Sequence, residues 1–112
     1  PKGIFRQVEA GQWHTCGLTK DQRIMCWGSN RYGQTRAPQG RYSNIQAGAQ
    51  HSCALKPDQT VTCWGSNDYG ELKVDKTRFV TIDAGRFTTC GLRANGKLAC
   101  WGALAFDEAQ YR

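Results

Sequence analysis

The chain has 112 residues, the length of one ordinary domain, and no stretch of it approaches the roughly 20 apolar residues that a membrane-spanning helix needs. Fifteen Lys and Arg against nine Asp and Glu leave a net charge of +6, which favours acidic partners only weakly because no basic run exists; a solvated surface accounts for the excess. Six cysteines evenly placed in so short a chain read as a disulfide framework made in an oxidising compartment, so the expected location is secreted, periplasmic or cell-surface.

The cysteines recur. Cys16, Cys53 and Cys90 stand 37 residues apart, as do Cys26, Cys63 and Cys100, and as do Trp27, Trp64 and Trp101. The sequence is therefore three copies of one unit, approximately 1–37, 38–74 and 75–111, expected to form a single repeat domain. A period of this size marks propellers, solenoids or arrays, in which no unit buries its apolar face alone. No signal-peptide pattern stands at Pro1, and the chain runs in phase with its repeat, as expected of a mature or trimmed form.

In chain order, each unit opens on a variable segment ending in an aromatic residue (Phe5, Tyr42, Phe79), then passes an apolar residue to a small pair: Val8 to Ala10-Gly11, Ile45 to Ala47-Gly48, Ile82 to Ala84-Gly85. Next comes a run in which Cys16 and Leu18 alternate with smaller residues. A polar turn follows, and then Ile24 and Cys26 alternate in the same way. Period-two alternation on both sides of a short polar segment predicts a β-hairpin, so the fold class is all-β and antiparallel.

The turns are Lys20-Asp21-Gln22, Pro57-Asp58-Gln59 and Ala94-Asn95-Gly96, suited to three-residue loops whose last residue is left-handed. Gly96 accepts that conformation freely, whereas Gln22 and Gln59 pay about 1 kcal/mol each. Centring the first loop on Asp21 sets Leu18 opposite Ile24 and Cys16 opposite Cys26. Directly opposed residues lie about 4.5–5.5 Å apart at Cα, within disulfide reach. The predicted bonds are Cys16–Cys26, Cys53–Cys63 and Cys90–Cys100, each closing a small loop at a gain of at most roughly 3 kcal/mol. The competing reading is a metal site of His14, Cys16 and Cys26. Its spacing matches no common zinc pattern, and the third unit has Thr88 in place of histidine. His14 and His51 then read as hydrogen-bonding struts, and the recurring tryptophans as wedges between neighbouring units.

The pattern Ala-Gly-x-x-His-Thr/Ser-Cys-x-Leu, a turn, then Val/Ile-x-Cys-Trp-Gly-Ser-Asn-x-Tyr-Gly-Gln/Glu resembles the regulator-of-chromosome-condensation repeat. It occupies 10–34 and 47–71, and in part 84–102. The cysteine-bearing version is similar to secreted and bacterial cell-surface members. The resemblance implies a β-propeller with one blade per repeat. In the third unit Ala103-Leu104-Ala105-Phe106 replaces the Ser-Asn-x-Tyr-Gly element. Since propellers close with four or more blades, three form an arc, expected to be completed by self-association into a ring, by a partner, or by further blades.

Residues that recur at one phase serve the blade, and those that vary are free to serve a partner. The hairpin tips carry Lys20, Asp21, Arg23, Lys56, Asp58, Arg93 and Lys97, a mainly basic face. The opposite end carries Trp13, Gln50 and Phe87 at one phase, with Arg31, Tyr32, Asp68, Tyr69 and Arg86 nearby. Exposed Trp, Phe and Arg are the usual material of binding hot spots, so Trp13, Arg31, Arg86 and Phe87 are the candidate partner-binding residues. There is no nucleophile elbow, phosphate-cradling glycine loop or pair of carboxylates at a shared phase, so no catalytic residue, metal, cofactor or small-molecule substrate is assigned. The function expected is a non-enzymatic protein-interaction or scaffold module of a secreted or cell-surface assembly. The resemblance also allows an inhibitor of an extracellular enzyme or, third, guanine-nucleotide exchange on a small GTPase. Disulfides weigh against that third role and against nucleic-acid binding, because the cell interior would reduce them.

Overall fold

A computed structural model describes residues 4–68 and 70–103. Tyr69 and the segment 104–112, where the third unit departs from the repeat, lie outside the described residues.

Among the described residues, nine strands form three antiparallel sheets of three strands each. The first holds β1 (Phe5–Ala10), β2 (His14–Thr19) and β3 (Ile24–Gly28) in that order. The second holds β4 (Asn44–Ala47), β5 (His51–Leu55) and β6 (Val61–Gly65); the third holds β7 (Thr81–Ala84), β8 (Thr88–Leu92) and β9 (Leu98–Gly102). The hairpin register is the expected one, with Leu18 opposite Ile24 and Cys16 opposite Cys26, repeated as Cys53 opposite Cys63 and Cys90 opposite Cys100. Gln22 and Gln59 are the only left-handed residues other than glycine among those described, at φ 70° and 72°, and Gly96 takes the same position at 85°. The apolar residue before each Ala-Gly pair lies in a further strand, which the hairpin reading had not assigned.

Among the described residues no blade has a core of its own. One cluster joins Cys16 and Leu18 of the first sheet to Tyr42, Ile45 and Trp64 of the second; another joins Cys53 and Leu55 of the second to Phe79, Ile82 and Trp101 of the third. At roughly 1.5–3 kcal/mol for each large side chain fully withdrawn from water, these contacts between blades dominate the apolar stabilisation. Trp64 and Trp101 are the wedges expected. Trp27, at the outer flank of the first blade, is only half-buried and meets Phe5 of its own sheet at 5.9 Å between ring centres.

Among the described residues the flanks at the two ends are open. Val8 is 52% exposed where its equivalents Ile45 and Ile82 are buried. Leu92 is half-buried where Leu18 and Leu55 are covered by the following blade. The described residues are thus three blades of an unclosed arc.

Candidate functional site

All six cysteines are joined as expected, Cys16–Cys26, Cys53–Cys63 and Cys90–Cys100, with Cα atoms 4.1, 4.0 and 4.1 Å apart. This pairing removes the sulfurs from any metal site with His14. Among the described residues no three of His, Cys, Asp and Glu converge as metal ligands.

The histidines tie blade to blade. His14 Nε2 lies 2.6 Å from Ser52 Oγ, and His51 Nε2 lies 2.9 Å from Thr89 Oγ1. Burial pushes the pKa of His14 down; burial, helped by the charge of His14, pulls that of His51 down to about 4. Both rings are therefore neutral at physiological pH and serve as hydrogen-bonding groups. Ser52 and Thr89, fully buried, are the partners that the sequence reading did not name. Their signal was the hydroxyl before the first cysteine of each unit.

A second link is made by Gln7, whose amide donates to the carbonyl of Ile45 at 2.7 Å and whose side-chain oxygen accepts from the N–H of Ile45 at 3.1 Å. It caps the free edge of β4, the groups of a strand most open to unwanted pairing.

The loop end is built by the Trp-Gly pairs. Gly28, Gly65 and Gly102 have φ near +105° (107°, 106° and 103°), so the chain leaves each hairpin in a conformation that favours glycine. The next residue's N–H then reaches the loop before the first hairpin strand: Ser29 to the Trp13 carbonyl, Ser66 to Gln50 and Ala103 to Phe87, each at 2.9 Å. The repeat thereby fixes the backbone at Trp13, Gln50 and Phe87 while leaving their side chains free to differ.

Trp13 is 57% exposed, and with Arg31, Tyr32 and Gln50 it lines a cleft of about 250 Å³ that spans the first two blades. Gln34 closes its floor, its Oε1 accepting from the N–H of Tyr32 at 2.7 Å and its carbonyl accepting from Trp64 Nε1 at 2.8 Å. Arg86 and Phe87 form a separate pair on the third blade, the guanidinium 5.6 Å from the ring centre. The carbonyl of Arg86 accepts from Ala49 N–H at 2.8 Å, anchoring that loop to the second blade. The four candidate residues share one end of the arc, but in two groups.

The tips are less uniformly basic than their composition suggests. Asp21 is bonded by Thr19 and Asp58 by Thr60 Oγ1 at 2.6 Å, and these hydroxyls hold both carboxyls below the usual range. Arg93 is paired with Asp75 at 2.8 Å and lies over the Phe79 ring, so it acts as a local brace on the tip face.

Three antiparallel sheets, cored between neighbours and arranged in an open arc, are the blades of a partial β-propeller. The chain belongs to the regulator of chromosome condensation (RCC1) repeat family, whose model matches residues 5–34, 42–71 and 79–103. Among solved structures it is similar to the entire ectodomain of the Physcomitrella patens receptor kinase CR4, at 31% identity and a TM-score of 0.75, over 92% of this chain and 28% of that one. It is also similar to the CRINKLY WD40 ectodomain of the Arabidopsis thaliana receptor kinase ACR4, at 25% identity and a TM-score of 0.74, over 90% and 37%. Yeast RCC1 (Prp20), in its complex with Kap60, shares the fold at 20% identity and a TM-score of 0.75, over 88% and 32%. The chain spans about a third of the length of these structures. Comparison with curated protein sequences gives no significant match.

Proposed function

We propose that this chain is a non-catalytic protein-interaction module of a secreted or cell-surface assembly, and that its loop end, through Trp13, Arg31, Arg86 and Phe87, contacts a protein partner. The arc is completed by other propeller-type surface, supplied by association of chains, by a partner or by further blades. The observation that carries the reading is the contrast among the aromatic residues. Those that hold blades together are buried, while Trp13 stands 57% exposed beside Arg31 in a cleft. A large ring held in water on a rigid loop is a pre-ordered contact, which loses little entropy on binding. Three disulfides and the likeness to two receptor-kinase ectodomains support an extracellular setting.

The test is Trp13→Ala combined with Phe87→Ala, assayed by co-purification of natively assembled material from the extracellular fraction. Loss of the bound partner with an unchanged melting temperature is the expected result. Retention of the partner, or unfolding of the variant, contradicts the assignment.

A further inference from the structure

The cleft at the loop end lies at an internal boundary of the arc. Trp13, Ser29, Arg31, Tyr32 and Gln34 line it from the first blade and Gln50 from the second. Each of these side chains carries an N–H or O–H donor, and none is a carboxylate. Their acceptors are partly spent: Gln34 Oε1 takes the N–H of Tyr32 at 2.7 Å, and Ser29 Oγ takes that of Arg31 at 3.4 Å. The donors are not. Gln34 Nε2 is buried and has no hydrogen-bond partner among the described residues. The single ion pair among those residues joins Arg93 to Asp75, which leaves Arg31 without a carboxylate.

Gln34 is fully buried, and folded proteins rarely leave a buried amide donor unmet. The N–H of Tyr32 must meet an oxygen, so the orientation of the Gln34 amide is fixed and its NH2 is the half left over. A glutamate would serve Tyr32 as well, and the repeat uses one: Glu71 stands at this phase one unit later. Asp68 likewise stands at the phase of Arg31. The repeat therefore accepts carboxylates at both positions, yet the first unit has donors at both. The difference is electrostatic. A negative oxygen entering between two carboxylates is repelled, whereas a guanidinium and an amide NH2 attract it.

We infer that this cleft receives the side-chain carboxylate of an aspartate or glutamate from a protein partner, held by Arg31 and Gln34 Nε2 and covered by the ring of Trp13. This rests on the interaction reading above and gives the chemistry of one contact within it. At about 250 Å³ the cleft falls below the roughly 300–1,000 Å³ of small-molecule sites, which suits a single side chain. The net charge of +6 draws acidic surfaces toward the chain and so raises the rate of such encounters. A sugar fits the chemistry less well. Its hydroxyls donate as well as accept, and this lining, with no carboxylate and with Gln34 Oε1 already engaged, is short of acceptors.

The probe is N-acetylglutamate α-methylamide, whose only charge is the side-chain carboxylate, titrated into isotope-labelled chain and followed by NMR. The side-chain N–H signals of Trp13, Arg31 and Gln34 should move together and saturate in the millimolar range, and the matching glutamine compound should bind at least about tenfold more weakly. Gln34→Glu keeps an oxygen for Tyr32 and should weaken the glutamate probe by about tenfold or more, read at the Trp13 indole, with an unchanged melting temperature. Arg31→Gln should do the same, and because Arg31 is exposed it decides the matter if Gln34→Glu fails to fold. Equal binding of the two probes, no shift at tens of millimolar, or unchanged affinity in Arg31→Gln overturns the inference. Glucuronate is the sugar arm, and tighter binding of glucuronate than of the glutamate probe overturns the assignment to a protein side chain. These probes report on the cleft without any partner. A partner retained by the loop-end double variant contradicts the interaction reading, whereas a cleft indifferent to carboxylate contradicts the inference alone.

Discussion

His14 Nε2 and Ser52 Oγ, 38 residues apart in sequence, lie 2.6 Å apart across the boundary between two sheets. The same relation, one repeat later, joins His51 to Thr89 at 2.9 Å. In a fold whose core lies between blades, such a bond fixes how far one sheet is rotated against the next. It is a buried polar contact, and its worth lies largely in the cost of leaving either partner alone.

Ser52→Ala should therefore destabilise the chain by about 1–3 kcal/mol, because the imidazole of His14 stays buried without its hydroxyl. Ser52→Thr should be close to neutral, since threonine holds this phase at positions 15 and 89. Urea midpoints at constant m-value measure both. Equal losses for the two variants would show that packing, not the hydroxyl, matters at this site.

Gly48 lies against the second strut. A Cβ there would sit 2.2 Å from His51 Cε1 and 2.7 Å from the Gly85 carbonyl, so Gly48→Ala should cost about 2 kcal/mol or more. At the equivalent Gly85, where the third blade has Thr88 and not histidine, the nearest atom is 3.8 Å away, and Gly85→Ala should be tolerated. Thermal melts of the pair check this asymmetry.

Acid should loosen the blades through His51. Its folded pKa is about 4 against an ordinary 6.5, so on acidification the unfolded chain takes up the proton first. The stability contributed by the neutral ring is full above pH 6.5, falls as pH drops toward 4, and changes no further below that. The total loss is on the order of 3 kcal/mol. Urea unfolding at pH 7 and pH 4.5 should show a smaller acid loss in His51→Gln than in the unaltered chain. An identical acid loss would mean that the carboxylates alone set the pH dependence.

The left-handed tip residues give a prediction of opposite sign. Gln59→Gly should stabilise the chain by up to about 1 kcal/mol, because glycine adopts φ near 72° without strain. Gly96→Gln should cost a similar amount. Destabilisation by Gln59→Gly would show that the Gln59 side chain contributes more than its backbone costs.

Much of this fold was legible from the residues because its contacts are local. Nine residues lie between the cysteines of each bond, and a three-residue turn leaves one register, so Cys16–Cys26 and Leu18 opposite Ile24 followed from spacing. The struts were half legible. The recurrence of His14 and His51 marked them as structural, but which hydroxyl each meets depends on how successive sheets stack. Arg93 was placed on a mainly basic tip face because nothing local pairs it; Asp75 reaches it only after the chain has folded back across the tip. At the loop end, the variable phase of Trp13, Gln50 and Phe87 was visible. The cleft that joins Trp13 to Arg31 and Gln50, and leaves Arg86 with Phe87, is set by loop paths that no periodicity encodes.

The central claim is that these blades are stapled by sulfur and act where thiols stay oxidised. A thiol count on the protein isolated from its native source, denatured but never reduced, tests it most directly. None of the six cysteines should react. Six reactive thiols would place the working protein in a reducing compartment and contradict the extracellular interaction role.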